Sequence, residues 1–148
     1  MKNKLNLFAI VLASGTFFWL TSCGHLEKTQ YQNFDIAEGL KIHQDKEVYP
    51  VDFSRIEFSI ENPTDTVYNF GDGNILEINK DGKWRTIPRK VEGYLAISYV
   101  LNNNSSSPMF FDSDTYDFKF KEGKYRLVIP VTSECGDEQI VLYFSLED

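Results

Sequence analysis

The 148-residue sequence predicts an all-β fold, an antiparallel β-sandwich of about seven strands. Three observations carry that expectation. After residue 38, apolar residues recur at every second position. Short turn signals separate the runs, and no stretch there keeps the 3.6-residue period of an amphipathic helix. The length allows one domain of ordinary size. An apolar share of 42%, with 12 Phe, 8 Tyr and 2 Trp, supplies a packed core and excludes a disordered chain.

The elements follow in order. Ile56, Phe58 and Ile60 alternate with Arg55, Glu57 and Ser59. Leu76 and Ile78 take one face, leaving Glu77 and Asn79 on the other. Leu95, Ile97, Tyr99 and Leu101 repeat the pattern, as do Tyr116, Phe118 and Phe120 against Asp117, Lys119 and Lys121. Tyr125, Leu127, Ile129 and Val131 follow, then Ile140, Leu142, Phe144 and Leu146. Period-2 alternation puts one side of each strand on a core and leaves the other near water. Asp81-Gly82 is a hairpin signal, because a type I′ turn needs positive φ at both centres. Asn62-Pro63-Thr64-Asp65, Gly71-Asp72-Gly73 and Glu122-Gly123 mark further turns. Residues 102–108, Asn-Asn-Asn-Ser-Ser-Ser-Pro, read as a polar loop.

The N-terminus has its own logic. Lys2 and Lys4 precede a mostly apolar run from Leu5 to Leu20, 16 residues long. That is short of the roughly 20 residues a bilayer span needs, so residues 1–22 read as a removable targeting segment. Leu20-Thr21-Ser22-Cys23-Gly24 resembles the lipobox of bacterial lipoproteins. The resemblance implies that Cys23 receives a diacylglyceryl group and, after cleavage, becomes an acylated N-terminus. Two or three acyl chains hold a protein firmly to a membrane. Cys23 and residues 24–38 then form a lipidated tether, which reaches about 50 Å if extended, or less if Tyr31, Phe34 and Ile36 dock on the domain. The processed chain carries 13 basic and 22 acidic residues, a balance of −9. Anionic headgroups should repel it, so the domain is expected to stand off the bilayer. Gly24 lacks the acidic character tied by the lipoprotein resemblance to inner-membrane retention, which favours the outer membrane.

Asn69-Phe70-Gly71, Ile75-Leu76-Glu77, Asp81-Gly82-Lys83-Trp84 and Glu122-Gly123-Lys124-Tyr125-Arg126-Leu127, in that order, resemble the bacterial immunoglobulin-like domains of small lipoproteins. The resemblance implies an Ig-like sandwich over residues 39–148 and a non-catalytic role outside the cytoplasm. It offers no catalytic residue to transfer. Tyr125 has two readings, a tyrosine corner returning its hydroxyl to nearby backbone, or a plain core aromatic.

Candidate chemistry is sparse. Cys135 sits among Glu134, Asp137 and Glu138, an acidic setting that suits an unreactive loop thiol. His25 lies in the tether, and His43 has no evident nucleophile partner. Asp112, Asp114 and Asp117 lack the spacing of a calcium loop. Gly71-Asp72-Gly73 is followed by strand, so it is no phosphate cradle. Adjacent Phe110 and Phe111 must point to opposite faces of a strand. The acidic balance disfavours nucleic acid. No cofactor, metal site or catalytic residue is expected. The function expected is a membrane-anchored binding or assembly module, partnered through Cys23 with the membrane and through its surface with an envelope protein or glycan. The alternative is an inhibitor-like or chaperone-like lipoprotein acting through a long loop at residues 102–115. An enzyme would need His43, Cys135 and the Asp112–Asp117 segment to converge.

Overall fold

The computed structural model describes residues 26–29, 31, 36–90 and 98–148. The leader, Cys23, His25, Phe34, Tyr94, Leu95 and Ile97 lie outside the described residues. Eleven strands are present among those described: β1 Glu27–Lys28, β2 Lys41–His43, β3 Val48–Pro50, β4 Arg55–Asn62, β5 Tyr68–Gly71, β6 Ile75–Lys80, β7 Lys83–Thr86, β8 Ser98–Leu101, β9 Ser105–Asp112, β10 Gly123–Ser133 and β11 Gly136–Glu147. The surplus over seven comes from very short strands and from one long strand broken into β5 and β6.

β2, β4 and β9 form a three-stranded antiparallel sheet. The other eight strands make the larger sheet, whose main path runs β1-β7-β6-β10-β11-β3. One pairing departs from the antiparallel expectation, since β3 runs parallel to the end of β11. β10 is central. One edge pairs with β11 along its whole length, and the other carries β6 at residues 125–128 and β5 at residues 131–132. Residues 129 and 130 of β10 fall opposite the Gly71-Asp72-Gly73 break, so Pro130, which has no N–H to give a ladder, sits where that edge is interrupted.

The sandwich core lies where the alternation places it. Ile56, Phe58 and Ile60 are buried, as are Tyr125, Leu127, Ile129 and Val131 on β10 and Ile140, Leu142, Phe144 and Leu146 on β11. One end of the core is aromatic. Tyr125 stacks on Phe144 with centroids 5.5 Å apart, and Phe53 meets Phe120 edge-on at 4.9 Å. The Asp81-Gly82 hairpin forms as the dipeptide requires, with φ of 52° and 77°. Asn79 Oδ1 accepts the Gly82 N–H at 3.0 Å across that turn. Phe111 is buried while Phe110 is exposed, the opposite-facing pair that strand geometry demands.

Tyr125 is a tyrosine corner. Its hydroxyl donates to the Lys121 carbonyl at 2.7 Å and accepts the Lys121 N–H at 3.3 Å. Burial pushes this phenol above the ordinary tyrosine range, against a smaller opposing effect of the Lys121 backbone. The corner fixes the segment that crosses from the small sheet to the large one.

Two local expectations are corrected. Residues 116–121 show the expected in-and-out burial, with Tyr116 buried and Lys119 and Lys121 exposed, yet no ladder continues along them. They are the crossover, held by the Tyr125 hydroxyl and a single bridge from Tyr116 to Arg89. Residues 105–108 are strand, not loop: β9 pairs Ser105 through Pro108 with Asn62 back to Ser59. A polar composition suits an edge strand beside β4, and Pro is tolerated on such an edge. The long loop at 102–115 on which an inhibitor-like or chaperone-like reading depended is therefore mostly β9. Of the two readings of residues 24–38, docking describes the parts seen: β1 pairs with β7, Ile36 bridges Gln139, and Ala37 is buried.

Asn62 is more than a turn former. It is fully buried, and its Nδ2 reaches the carbonyls of Thr66 (2.8 Å), Asn102 (3.0 Å) and Leu101 (3.3 Å). Its Oδ1 accepts from the Thr64 N–H and hydroxyl. One side chain thus joins the β4–β5 turn to the β8–β9 turn. Close by, a Cβ on Gly39 would lie 2.5 Å from Thr64 Cγ2, so a larger residue there would displace the Thr64 side chain.

The tyrosine corner makes a direct prediction. Tyr125→Phe keeps the ring but orphans the Lys121 carbonyl, and should lower stability by about 1–3 kcal/mol in urea unfolding with the fold unchanged. Wild-type stability in that variant would show that the hydroxyl contributes nothing.

Candidate binding surfaces

β10 is buried on both faces. Tyr125 and Leu127 point into the sandwich, whereas Arg126 and Val128 point outward and are still buried. Opposite Arg126 in register is Glu77 on β6, which is 0% exposed. Arg126 Nε and Nη2 both lie 2.6 Å from Glu77 Oε2. Thr86 donates its hydroxyl to Glu77 Oε1 at 3.2 Å. Arg126 Nη2 also donates to the Tyr31 carbonyl at 2.9 Å, and its guanidinium lies 4.5 Å from the centroid of the Trp84 ring. The N-terminal segment on one side and Trp84 on the other thus roof an ion pair on the outer face of the sheet. The expectation that Glu77 faces solvent is overturned, because a distant part of the chain covers that face.

Trp84 is shared with a second feature. Its ring lies 6.0 Å from Tyr143 of β11, tilted by 52°, and Tyr143 is exposed. A groove of about 400 Å³ runs beside the two rings, lined also by Gln44, Glu47, Lys124 and Val141. Gln44 donates to the Tyr143 carbonyl at 3.1 Å, and its Oε1 is buried without a protein partner. An aromatic pair with an unused acceptor and nearby charges of both signs can bind a polar ligand that presents an apolar face, such as a sugar ring or a peptide. Tyr143 is visible in sequence only as a large aromatic out of phase with Leu142 and Phe144.

On the small sheet, Arg55 grips Asp112 through two bonds of 2.6 and 2.9 Å and lies 3.9 Å from the Phe110 centroid. Hydrogen bonding from Arg55 holds the Asp112 carboxyl below its ordinary range, against a smaller effect of burial. His43 meets Glu61 at 2.6 Å. Those two pairs sit at opposite ends of β4, six residues or about 20 Å apart. Cys135 is exposed at the tip of the β10–β11 hairpin, where its N–H bonds Ser133 Oγ at 3.1 Å. His43, Cys135 and Asp112 therefore lie on separate elements and do not converge. Among the described residues, no group of three His, Cys, Asp or Glu side chains is placed to hold a metal ion. Among them too, no helix is long and apolar enough to cross a membrane.

Comparison with known proteins gives a family match over residues 37–141, to the family described as bacterial Ig-like domain. No curated protein matches the chain. Among solved structures, the crystal structure of the periplasmic chaperone SfaE is similar at 13% identity and a TM-score of 0.42, over 73% of this chain and 55% of that one. The alkylpurine DNA glycosylase AlkC of Pseudomonas fluorescens, bound to DNA containing an abasic site analog, is similar at 13% identity and 0.38, over 74% of this chain and 31% of that one. The chain thus matches about half of the first protein's length and a third of the second's.

Two predictions follow from the paired charges. Glu77→Gln leaves a buried guanidinium without its counter-charge and should cost about 3–5 kcal/mol in urea unfolding, whereas Glu77→Leu with Arg126→Met should stay near wild type or exceed it. On the small sheet, a depressed Asp112 pKa means that the Arg55 pair stabilises the fold above the ordinary carboxylate pKa of about 3.9 and is lost as pH falls through the lower folded value. Arg55→Gln should raise the Asp112 titration midpoint in NMR; an unmoved midpoint would remove Arg55 as the cause.

Proposed function

We propose that this chain, which belongs to the bacterial Ig-like domain family, is a lipid-anchored binding module outside the cytoplasm, without chemistry of its own. The observation that carries the binding reading is the Trp84–Tyr143 pair beside its open groove. Large aromatics that bear polar atoms and stand half-exposed on a rigid sheet are suited to recognition. The partner is an envelope protein or glycan. Anchoring rests on Lys2 and Lys4, the apolar run and the Leu20–Gly24 lipobox, which make Cys23 the acylated residue. Outer-membrane siting rests on Gly24. The absence of catalysis is supported by the scatter of the reactive side chains: His43 is engaged by Glu61, Asp112 by Arg55, and Cys135 stands at a hairpin tip.

Both halves can be measured on protein from its own envelope. Intact mass should give an N-terminal Cys23 carrying diacylglyceryl and acyl groups; an unprocessed, unacylated N-terminus would end the anchoring reading. A photoreactive residue at position 143 should give a discrete adduct that disappears on Trp84→Ala. Adducts indifferent to that substitution would show that the groove is not the binding surface.

A further inference from the structure

The processed chain is strongly acidic, yet its cations are not evenly spread. In the β6–β7 hairpin Lys80 stands directly opposite Lys83, and across the next ladder Lys28 of β1 stands directly opposite Arg85 of β7. Residues directly opposite share a face, and Lys83 and Arg85 alternate onto the same side of β7, so all four cations lie on one face. Lys121, just before β10, is the main cause holding Lys80 below the ordinary lysine range, ahead of burial and with Asp81 opposing. Like charges placed opposite each other destabilise a sheet. Among the described residues, none of these five cations joins an ion pair, since the pairs present use Lys41, His43, Arg55, Arg89 and Arg126. Lys28, Lys83 and Arg85 also line a groove of about 540 Å³ with Tyr31 and Trp84.

The position of β1 supplies the second argument. Lys28 is five residues after Cys23, so an extended chain puts them at most about 17 Å apart. The β1–β7 pairing shortens the tether to those few residues. Salt screens charges beyond about 8 Å, so close to a surface the local patch matters and the net charge of the whole domain does not. We infer that Lys28, Lys80, Lys83, Arg85 and Lys121 form a contact surface for the anionic phosphates of phospholipid headgroups, laying the hairpin edge of the domain on the bilayer that holds Cys23. The inference rests on the anchoring reading above and replaces the expectation of a domain held away from the membrane. A lipid anchor joined to a basic patch is a sufficient pair of membrane signals.

The test uses the processed, lipidated chain, in which Trp84 is the one tryptophan left once Trp19 has gone with the leader. The protein is incorporated into vesicles of phosphatidylcholine alone or mixed with phosphatidylglycerol, each carrying a headgroup quencher. Flotation with the neutral vesicles reports the anchor by itself. Trp84 quenching should appear with phosphatidylglycerol, fall away at high salt, and be lost in Lys80→Glu with Lys83→Glu while flotation persists. Each removed cation should weaken the headgroup contact roughly fivefold. Quenching that is equal in neutral vesicles, or unmoved by the double substitution, would overturn the inference. So would tight, saturable binding of pyrophosphate by a protein that shows no headgroup quenching, since the patch would then serve a soluble phosphate. Failure to float would instead remove the anchor.

Discussion

A buried charge on the outside of a sheet demands cover, and the pair of Arg126 with Glu77 sets that demand here. Stranding either group alone when buried costs several kcal/mol, so the arrangement depends on its lid. The lid is made of Trp84 on one side and the Tyr31 backbone on the other. Both recruit further structure. Trp84 reaches Tyr143 and so edges the groove. The Tyr31 carbonyl fixes the path of the N-terminal segment, whose two-residue β1 would be too short to hold by itself. One ion pair therefore connects the packing of the large sheet with both surfaces to which a function is assigned.

The sandwich beneath is organised around β10, paired on both edges and buried on both faces. Its inner face delivers Tyr125 to the aromatic end of the core and to the crossover from the small sheet. Its outer face carries the ion pair. A strand so placed tolerates little, which explains why recognition is assigned to its neighbour β11 and to β7, one strand beyond β6. Their alternate positions can face water without disturbing the interior.

Much of this was legible in the sequence where the signal is local. Alternation found β4, β10 and β11 with their buried faces, and Asp81-Gly82 found its hairpin, because period and turn chemistry act over a few residues. What was not legible depends on chain segments far apart. Glu77 reads as a solvent-facing position until a segment some 46 residues earlier, at Tyr31, is laid across it. Residues 105–108 look like loop until β4 offers them a ladder. Residues 116–121 alternate like a strand, but their position between two sheets leaves them one isolated bridge, from Tyr116 to Arg89, in place of a continuous ladder. The apolar Val128, out of phase on β10 beside Arg126, was a readable hint that this strand is covered on both sides. The two surfaces were half visible: Trp84 stood out, whereas the cation strip appears only once register sets Lys28 against Arg85.

The Arg126–Glu77 pair fastens the N-terminal segment to the sheet. Backbone amide hydrogen exchange on the lipidated chain measures it most directly. Protection at residues 27 and 28 is predicted in the wild type. It should vanish when Arg126→Met is combined with Glu77→Leu, while the β10–β11 ladder stays protected. Residues 27 and 28 exchanging as freely in the wild type as in that variant would contradict the account.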